Sequence, residues 1–240
     1  MFYLLDRLSL ICTRELGQIF STPPAYIVLL LFQALNGLFF CDILDSGAGA
    51  NLSYIYRTMG IVMLLMVPAI AMGSFINEKK SGTVELLLTS PIRALDLTLG
   101  KFLAYLLFLA LMVLTTLQYP FILSVFTEVD GGRVLAGSLG VFLLGVAVLS
   151  LALFTSALLE HQVAACLLAS SIALVFWCAH SLFSLFITIP PASLRSISFY
   201  ERFLPFTVGL LDTGDCVFFL LFAFLALSAC SRVVESWRGK

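Results

Sequence analysis

Long stretches without charged residues, separated by short charged segments, dominate this sequence. Asp, Glu, Lys and Arg are absent from six windows, at residues 16–41, 58–77, 102–127, 134–159, 161–194 and 216–231. A helix that crosses a bilayer needs about 20 mostly apolar residues, and the first five windows reach that length. Val233 and Val234 extend the sixth, because the charged end of Arg232 can reach the interface. The sequence therefore predicts six transmembrane helices, at residues 24–43, 56–76, 99–125, 134–158, 162–187 and 214–234.

The composition indicates the same class of protein. The chain is 61% hydrophobic and 11% charged, with a mean hydropathy of +1.08, whereas soluble domains carry roughly a quarter of their residues as Asp, Glu, Lys and Arg. So few charges cannot cover a globular surface. We predict an all-α integral membrane protein in which residues 1–240 form a single transmembrane domain.

Residues 1–22 have the pattern of an amphipathic helix that lies in the membrane interface. The apolar positions recur at helical spacing, at Leu4, Leu5, Leu8, Ile11, Cys12, Leu16, Ile19 and Phe20. The polar positions fall on other faces, at Asp6, Arg7, Thr13, Arg14 and Gln18. Such a helix buries its apolar side and turns its charges to water. An ordinary solvated leader is the alternative, which the regular apolar stripe disfavours.

The distribution of Lys and Arg predicts the orientation. Nine of the thirteen lie on the side that carries both termini and the segment between spans 2 and 3. The other side holds Arg57, Arg133, Arg195 and Arg202. Since Lys and Arg concentrate in cytoplasmic segments, we predict that both termini are cytoplasmic.

Polar residues and prolines within the spans give local predictions. Gln33 and Asn36 in span 1 are expected to hydrogen-bond neighbouring helices. Pro68 in span 2 and Pro120 in span 3 each remove a backbone donor and should kink their helices.

The segment 188–215 between spans 5 and 6 is apolar but broken by proline and glycine. We predict that it folds back on the outer face as an external re-entrant segment. Its aromatic residues Phe199, Tyr200, Phe203 and Phe206 are expected at the membrane interface.

No pattern for catalysis or for nucleotide binding occurs. The sequence has no GxxxxGK[ST] phosphate loop, no HExxH and no GxSxG. His161 and His180 are isolated, and Asp212 and Asp215 lie too close to the outer end of span 6 to suggest a buried acid pair. We predict no catalytic, cofactor-binding or metal-binding residues, and the net charge of −1 gives no indication of nucleic acid.

The segment 77–92 between spans 2 and 3 combines charges with a short apolar run. Ser81 or Thr83 can cap a helix, Glu85 favours its positive end, and Pro91 follows its last turn. The pattern predicts a short helix at about 83–89. It fits either a plain interfacial helix or a docking surface for a cytoplasmic partner, and spacing alone leaves both open.

The string EKKSGTVELLLTSPI at 78–92, followed by Gly100 and Lys101, resembles the signature between spans 2 and 3 of type-2 ATP-binding-cassette (ABC) transporter permeases. The matching positions are Glu78, Lys79, Gly82, Thr83, Glu85, Leu87, Leu88, Pro91, Ile92, Gly100 and Lys101. The C-terminal stretch 203–238 resembles the last span of the gliding-motility and copper-enzyme-maturation permeases, a subgroup of that family.

The resemblance implies the type-2 ABC exporter transmembrane fold in a multi-pass protein of the bacterial cytoplasmic membrane. Two permease subunits, as a homodimer or a related heterodimer, would sit in membrane lipid above separate ATPase subunits. ATP and Mg would bind to those ATPases, and this chain would bind no cofactor. Residues 77–92 would include the coupling helix, with an ATPase-coupling set of Glu78, Lys79, Gly82, Thr83, Glu85, Leu86, Leu87, Leu88, Pro91 and Lys101.

Three functions remain to be compared at this stage. The first is a permease that exports an unidentified substrate with energy from the partner ATPase. The second is a mechanical transmitter that relays the ATPase cycle to an envelope partner without moving a small molecule. The third is a membrane enzyme, which the missing catalytic patterns disfavour.

Overall fold

The computed structural model describes residues 2–45, 52–80, 94–125, 130–186 and 197–237. Within them, six helical segments are long and apolar enough to cross a membrane. They cover Pro23–Asp42, Leu52–Lys80, Ala94–Ser124, Gly131–Leu158, Gln162–Ser181 and Thr213–Ser236. The predicted six-span helical architecture is thereby confirmed.

The described residues form ten helices along the chain. Their bounds are α1 Phe2–Ser21, α2 Pro23–Asp45, α3 Leu52–Ala71, α4 Ile76–Lys80, α5 Ala94–Thr116, α6 Gln118–Ser124, α7 Gly131–Leu158, α8 Gln162–Phe186, α9 Phe199–Val208 and α10 Thr213–Ser236.

Helix α7 forms the centre of the bundle and contacts α3, α5, α8, α9 and α10. Small residues allow this close packing. A Cβ atom on Gly140 would lie 2.5 Å from Cβ of Phe206, and one on Gly145 would lie 2.8 Å from Cδ1 of Leu109. Both distances are below van der Waals contact, so glycine sets the spacing between α7 and its neighbours.

Two of the spans are interrupted, each within a few residues of its proline, and the kinks predicted at the prolines themselves stay predictions. The break between α5 and α6 falls at Leu117, and Pro120 follows in the first turn of α6, where its missing N–H costs least. In the other span α3 continues past Pro68 to Ala71, and the break falls at residues 72–75.

Helix α1 packs along α5 with the apolar side that its sequence pattern predicts. Ile19 is buried, and Ile11, Cys12 and Leu16 are partly buried against the core. Among the described side chains of α1, from residue 9 onwards, Leu10 and Phe20 are the large apolar ones that remain exposed. The helix is therefore docked on the bundle and is not a solvated leader.

Helix α9 enters the bundle from the opposite end, with Phe199, Phe203 and Phe206 almost completely buried. These three rings pack among α3, α7 and α8 and not on the surface of the bundle, and their position relative to the membrane interface stays a prediction. Phe203 reaches Gly60 of α3, roughly 12 Å into that helix at 1.5 Å per residue. Part of the segment 188–215 lies outside the described residues, so its re-entrant path through a membrane stays a prediction.

The two polar residues of the first span behave differently. The Gln33 amide donates to the carbonyl of Thr115 on α5 at 3.2 Å, and the Tyr119 hydroxyl donates to the Gln33 carbonyl at 2.9 Å. The prediction of an interhelical bond is therefore confirmed for Gln33. It is wrong for Asn36, whose amide donates to Phe32 in its own helix at 2.8 Å.

Candidate functional site

The residues of the predicted coupling set divide between two parts of the chain. Glu78, Lys79 and Lys101 lie in the described helices α4 and α5. The rest lie outside the described residues, together with the predicted helix at 83–89, and their roles stay predictions: Gly82, Thr83, Glu85, Leu86, Leu87, Leu88 and Pro91.

Lys101 is the centre of a buried cluster of charges. It lies in the third turn of α5 with 1% of its surface exposed. Its Nζ atom is 2.9 Å from Oε1 of Glu15 and 3.0 Å from Oε1 of Glu78. The same atom donates to the Ser74 carbonyl at 3.0 Å. A lysine is buried to this degree only with such partners, so the cluster joins α1, α4 and α5 at one point.

The preceding residue, Gly100, lets α1 approach α5 closely enough for this contact. A Cβ atom at Gly100 would lie 2.6 Å from Cγ2 of Ile11. Ile11 and Glu15 are four residues apart and share a face of α1. The Gly100–Lys101 pair therefore combines close backbone approach with a charge for Glu15, which gives a physical reason for both residue types.

The break at 72–75 is stabilised by side chains from α5 and α7. The Ser156 hydroxyl accepts from the Phe75 N–H at 3.2 Å and donates to the Met72 carbonyl at 3.0 Å. Lys101 donates a hydrogen bond to the Ser74 carbonyl, as described above. Irregular backbone inside a membrane bundle needs such partners for its polar groups, and these contacts fix the direction in which α4 leaves the span.

Lys79 points to the other side of α4. Its Nζ atom donates to the carbonyls of Ala157 and Leu159 at the end of α7. The same ammonium lies 4.2 Å from the centre of the Trp237 ring. The last carbonyls of a helix lack intrahelical partners and favour a cation. Lys79 therefore connects α4 to the ends of α7 and α10, and Glu78 connects α4 to α5 and, through Lys101, to α1.

The opposite end of the bundle has a second ion pair, with a buried carboxylate and a partly exposed guanidinium. Arg202 of α9 donates to Asp215 of α10 at 2.7 Å, and Asp215 is buried. Asp215 is thus less accessible to water than its position at the end of span 6 suggests, and the guanidinium compensates its carboxylate. Asp212 is exposed and caps α10 by accepting from the Gly214 N–H at 2.9 Å.

The described residues hold no cluster of three or more His, Cys, Asp or Glu side chains that could bind a metal ion. His180 lies 3.9 Å from Glu201 across the contact between α8 and α9. These two side chains are partly exposed and form an isolated contact.

Sequence reasoning missed Glu15, although a signal was present. The residue lies between Ile11 and Ile19 at intervals of four, on the stripe that should be apolar. A carboxylate on that stripe indicates a buried cation in the helix against which α1 packs. Lys101 lies in the third turn of α5 among mostly apolar residues, and it is the cation that this carboxylate predicts.

A comparison with curated proteins finds no match. A comparison with protein families matches residues 43–230 to the model described as "ABC-2 family transporter protein". The match begins within α2 and ends within α10, so it covers most of the chain and all the helices from α3 to α9. This chain belongs to the ABC-2 transporter family, as a multi-pass membrane permease subunit that works with a separate ABC ATPase.

Proposed function

We propose that this permease exports a substrate across the bacterial cytoplasmic membrane, driven by ATP hydrolysis in its partner ATPase. Both termini and the segment 77–92 would face the cytoplasm. The ATPase would bind ATP and Mg, and this chain would bind neither. Two permease subunits, identical or related, would form the translocation pathway.

The attachment of both ends of the segment 81–93 is the observation that carries this proposal. On one side Glu78 contacts Lys101 at 3.0 Å and Lys79 binds the end of α7. On the other side Lys101 joins α5 to α1. A force applied to the segment by an ATPase would therefore reach α1, α5 and α7 through short polar contacts.

Within the segment, we assign roles by the signature that it resembles. Gly82 and Thr83 would turn the chain away from α4. Glu85 and the run Leu86–Leu88 would form the surface that docks on the ATPase, and Pro91 would end the coupling helix before α5 begins.

The alternative is a mechanical transmitter that relays the ATPase cycle to an envelope protein. The C-terminal resemblance to gliding-motility and copper-enzyme-maturation permeases is compatible with it. Two of the three connections on the predicted outer side are short, with six residues between α2 and α3 and six between α6 and α7, and α9 of the third packs into the bundle. They offer little surface for a large partner, so we favour transport.

Co-purification with the ATPase encoded nearest to this gene tests the proposal. Wild-type permease should retain the ATPase in mild detergent, and Glu85→Lys should lose it because the reversed charge would lie on the proposed docking surface. Glu235→Lys is the matched control, since Glu235 is exposed near the same end of the bundle. An unchanged complex in Glu85→Lys would remove the docking role, and no complex in the wild type would overturn the proposed function.

A further inference from the structure

A cavity of about 380 Å³ opens beside the Lys101 cluster. It lies between α1, the start of α2, the break at 72–75, α5 and the start of α8. This volume is in the range of pockets that hold small organic ligands. Fifteen residues line it: Glu15, Gln18, Ile19, Thr22, Pro24, Ala25, Ala69, Ile70, Met72, Gly73, Ser74, Asn77, Glu78, Tyr105 and Gln162.

The described side chains of this wall carry charge of one sign. Glu15 and Glu78 both line the cavity, and no Lys, Arg or His is among the described residues that line it. Lys101 pairs with both carboxylates, but its own side chain does not line the cavity. Arg14 also attracts the Glu78 carboxylate electrostatically, but it is exposed on α1 and is not part of the lining. The field inside the cavity therefore attracts cations and repels anions.

The same wall carries two buried hydroxyl groups, those of Ser74 and Tyr105. Ser74 is 5% exposed. The Tyr105 hydroxyl lies close to it. The amides of Asn77 and Gln162 bond to each other where α4 meets α8. The cavity thus offers oxygen acceptors in addition to its carboxylates.

The other side of the cavity is apolar. Ile19, Ala25 and Ala69 are among the residues that form it, at the junction of α1 with the first two spans. A bare metal ion would leave most of this volume empty. A ligand that combines a cationic head with an apolar body fits both sides of the lining.

We propose that this cavity binds a protonated amine attached to an apolar group, and that organic amines of this kind are the substrate class of the permease. The ammonium group is placed at Glu15, Glu78 and Ser74, and the apolar part at Ile19, Ala25 and Ala69. The role as substrate rests on the proposed export function, whereas binding itself does not. The amine can come from an aminophospholipid headgroup in the inner leaflet or from a soluble amine.

Equilibrium dialysis with 2-phenylethylamine tests the binding. The full chain would be placed in nanodiscs of phosphatidylcholine, which has no protonatable amine and no net charge, and binding to empty nanodiscs would be subtracted. We expect saturable binding of 2-phenylethylamine and at least tenfold weaker binding of the neutral 2-phenylethanol and the anionic 3-phenylpropanoate. Equal binding of all three compounds would mean partition into lipid and would overturn the proposal.

Two substitutions of Gln18, which is exposed on the lining, vary the charge without altering the buried cluster. Gln18→Lys should weaken binding of 2-phenylethylamine about fivefold, and Gln18→Glu should strengthen it by a similar factor, from Coulomb interaction at a partly solvated site. Thr13→Lys is the matched control, because Thr13 is exposed on another face of the same helix. Identical effects of the two lysine substitutions would contradict a site in this cavity.

Nanodiscs that contain phosphatidylethanolamine distinguish the two sources of the amine. Competition by this lipid would support an aminophospholipid as occupant, and undiminished binding of 2-phenylethylamine would support a soluble amine. The result is also separable from the ATPase test. A stable ATPase complex without amine binding would overturn only the substrate class, whereas amine binding without a complex would overturn only the export function.

Discussion

At the scale of single residues, the Lys101 cluster restricts how three helices can pack. One cation and two carboxylates are removed from water, and each loses its hydration. Such a cluster contributes little net stability compared with an apolar replacement, but the loss of one member is costly. The cluster instead fixes the arrangement of these helices, because Lys101 contacts Glu15 and Glu78 together only when α1, α4 and α5 have one relative position.

Lys101→Met should therefore destabilise the protein strongly. The substitution keeps an unbranched chain but leaves Glu15 and Glu78 buried side by side without a cation. We expect a loss of about 3–5 kcal/mol, measured by thermal unfolding of the purified permease in detergent. Lys80→Met is the matched control, since Lys80 is exposed at the end of α4, and it should leave unfolding within about 0.5 kcal/mol of wild type.

Neutralising the carboxylates should then restore part of the loss. In the triple variant Lys101→Met, Glu15→Gln and Glu78→Gln, no buried charge remains in the cluster. Unfolding should return at least halfway to wild type. Failure of this recovery, or a Lys101→Met protein as stable as wild type, would show that the charges at this site are not coupled.

At the scale of elements, the sequence indicates the spans well and the contacts between them poorly. Apolar windows depend only on local composition, so all six spans could be predicted. The burial of Phe203 could not, because it depends on Gly60 and Gly140 in distant parts of the chain. Glu15 and Lys101 were missed as partners for the same reason, although each interrupts an apolar pattern.

The docking of α1 on α5 should depend on Gly100. In Gly100→Ala the new Cβ atom would meet Ile11, and overpacking of this kind costs about 1–3 kcal/mol. Gly17→Ala is the matched control on α1, because no atom lies within 4 Å of its added Cβ. Thermal unfolding should separate the two variants.

The reactivity of Cys12 gives a local measure of the same docking. Burial raises the pKa of this thiol above its ordinary value, so less reactive thiolate is present at pH 8. If Gly100→Ala lifts α1, the pKa falls toward the ordinary value and maleimide labelling accelerates. Labelling should be followed by mass spectrometry of the Cys12 peptide. An unchanged rate in Gly100→Ala would mean that α1 stays docked without the close approach.

The broken span between α3 and α4 should depend on Ser156. Ser156→Ala leaves the Phe75 N–H and the Met72 carbonyl without their side-chain partner, at a cost of about 1–3 kcal/mol. Ser150→Ala is a close control, because Ser150 is equally buried in α7 and its hydroxyl bonds only to Ala147 of its own helix. Equal unfolding of the two variants would show that the hydroxyl of Ser156 does not stabilise the break.

At the scale of the whole molecule, an additional helix is held in a similar way at each end of the bundle. A helix that is not one of the six spans packs against the bundle through a glycine, α1 at Gly100 and α9 at Gly140. An ion pair with a buried carboxylate then fixes each one, Glu15 with Lys101 and Asp215 with Arg202. The central helix α7 lies between these ends. Any change transmitted from 81–93 to α9 would therefore pass along spans that pack on α7.

The orientation of this assembly is the last prediction, and it follows from the nine Lys and Arg residues on the side of the termini. Alkaline phosphatase requires an oxidising compartment for its disulfides, whereas green fluorescent protein reports on the cytoplasm. Fusions made after Lys80 and after Trp237 should fluoresce and lack phosphatase activity. Fusions made after Val125 and after Leu211 should show the opposite behaviour. The reverse pattern would place 77–92 outside the cell, where no ATP-driven partner could dock, and the proposed coupling would have to be abandoned.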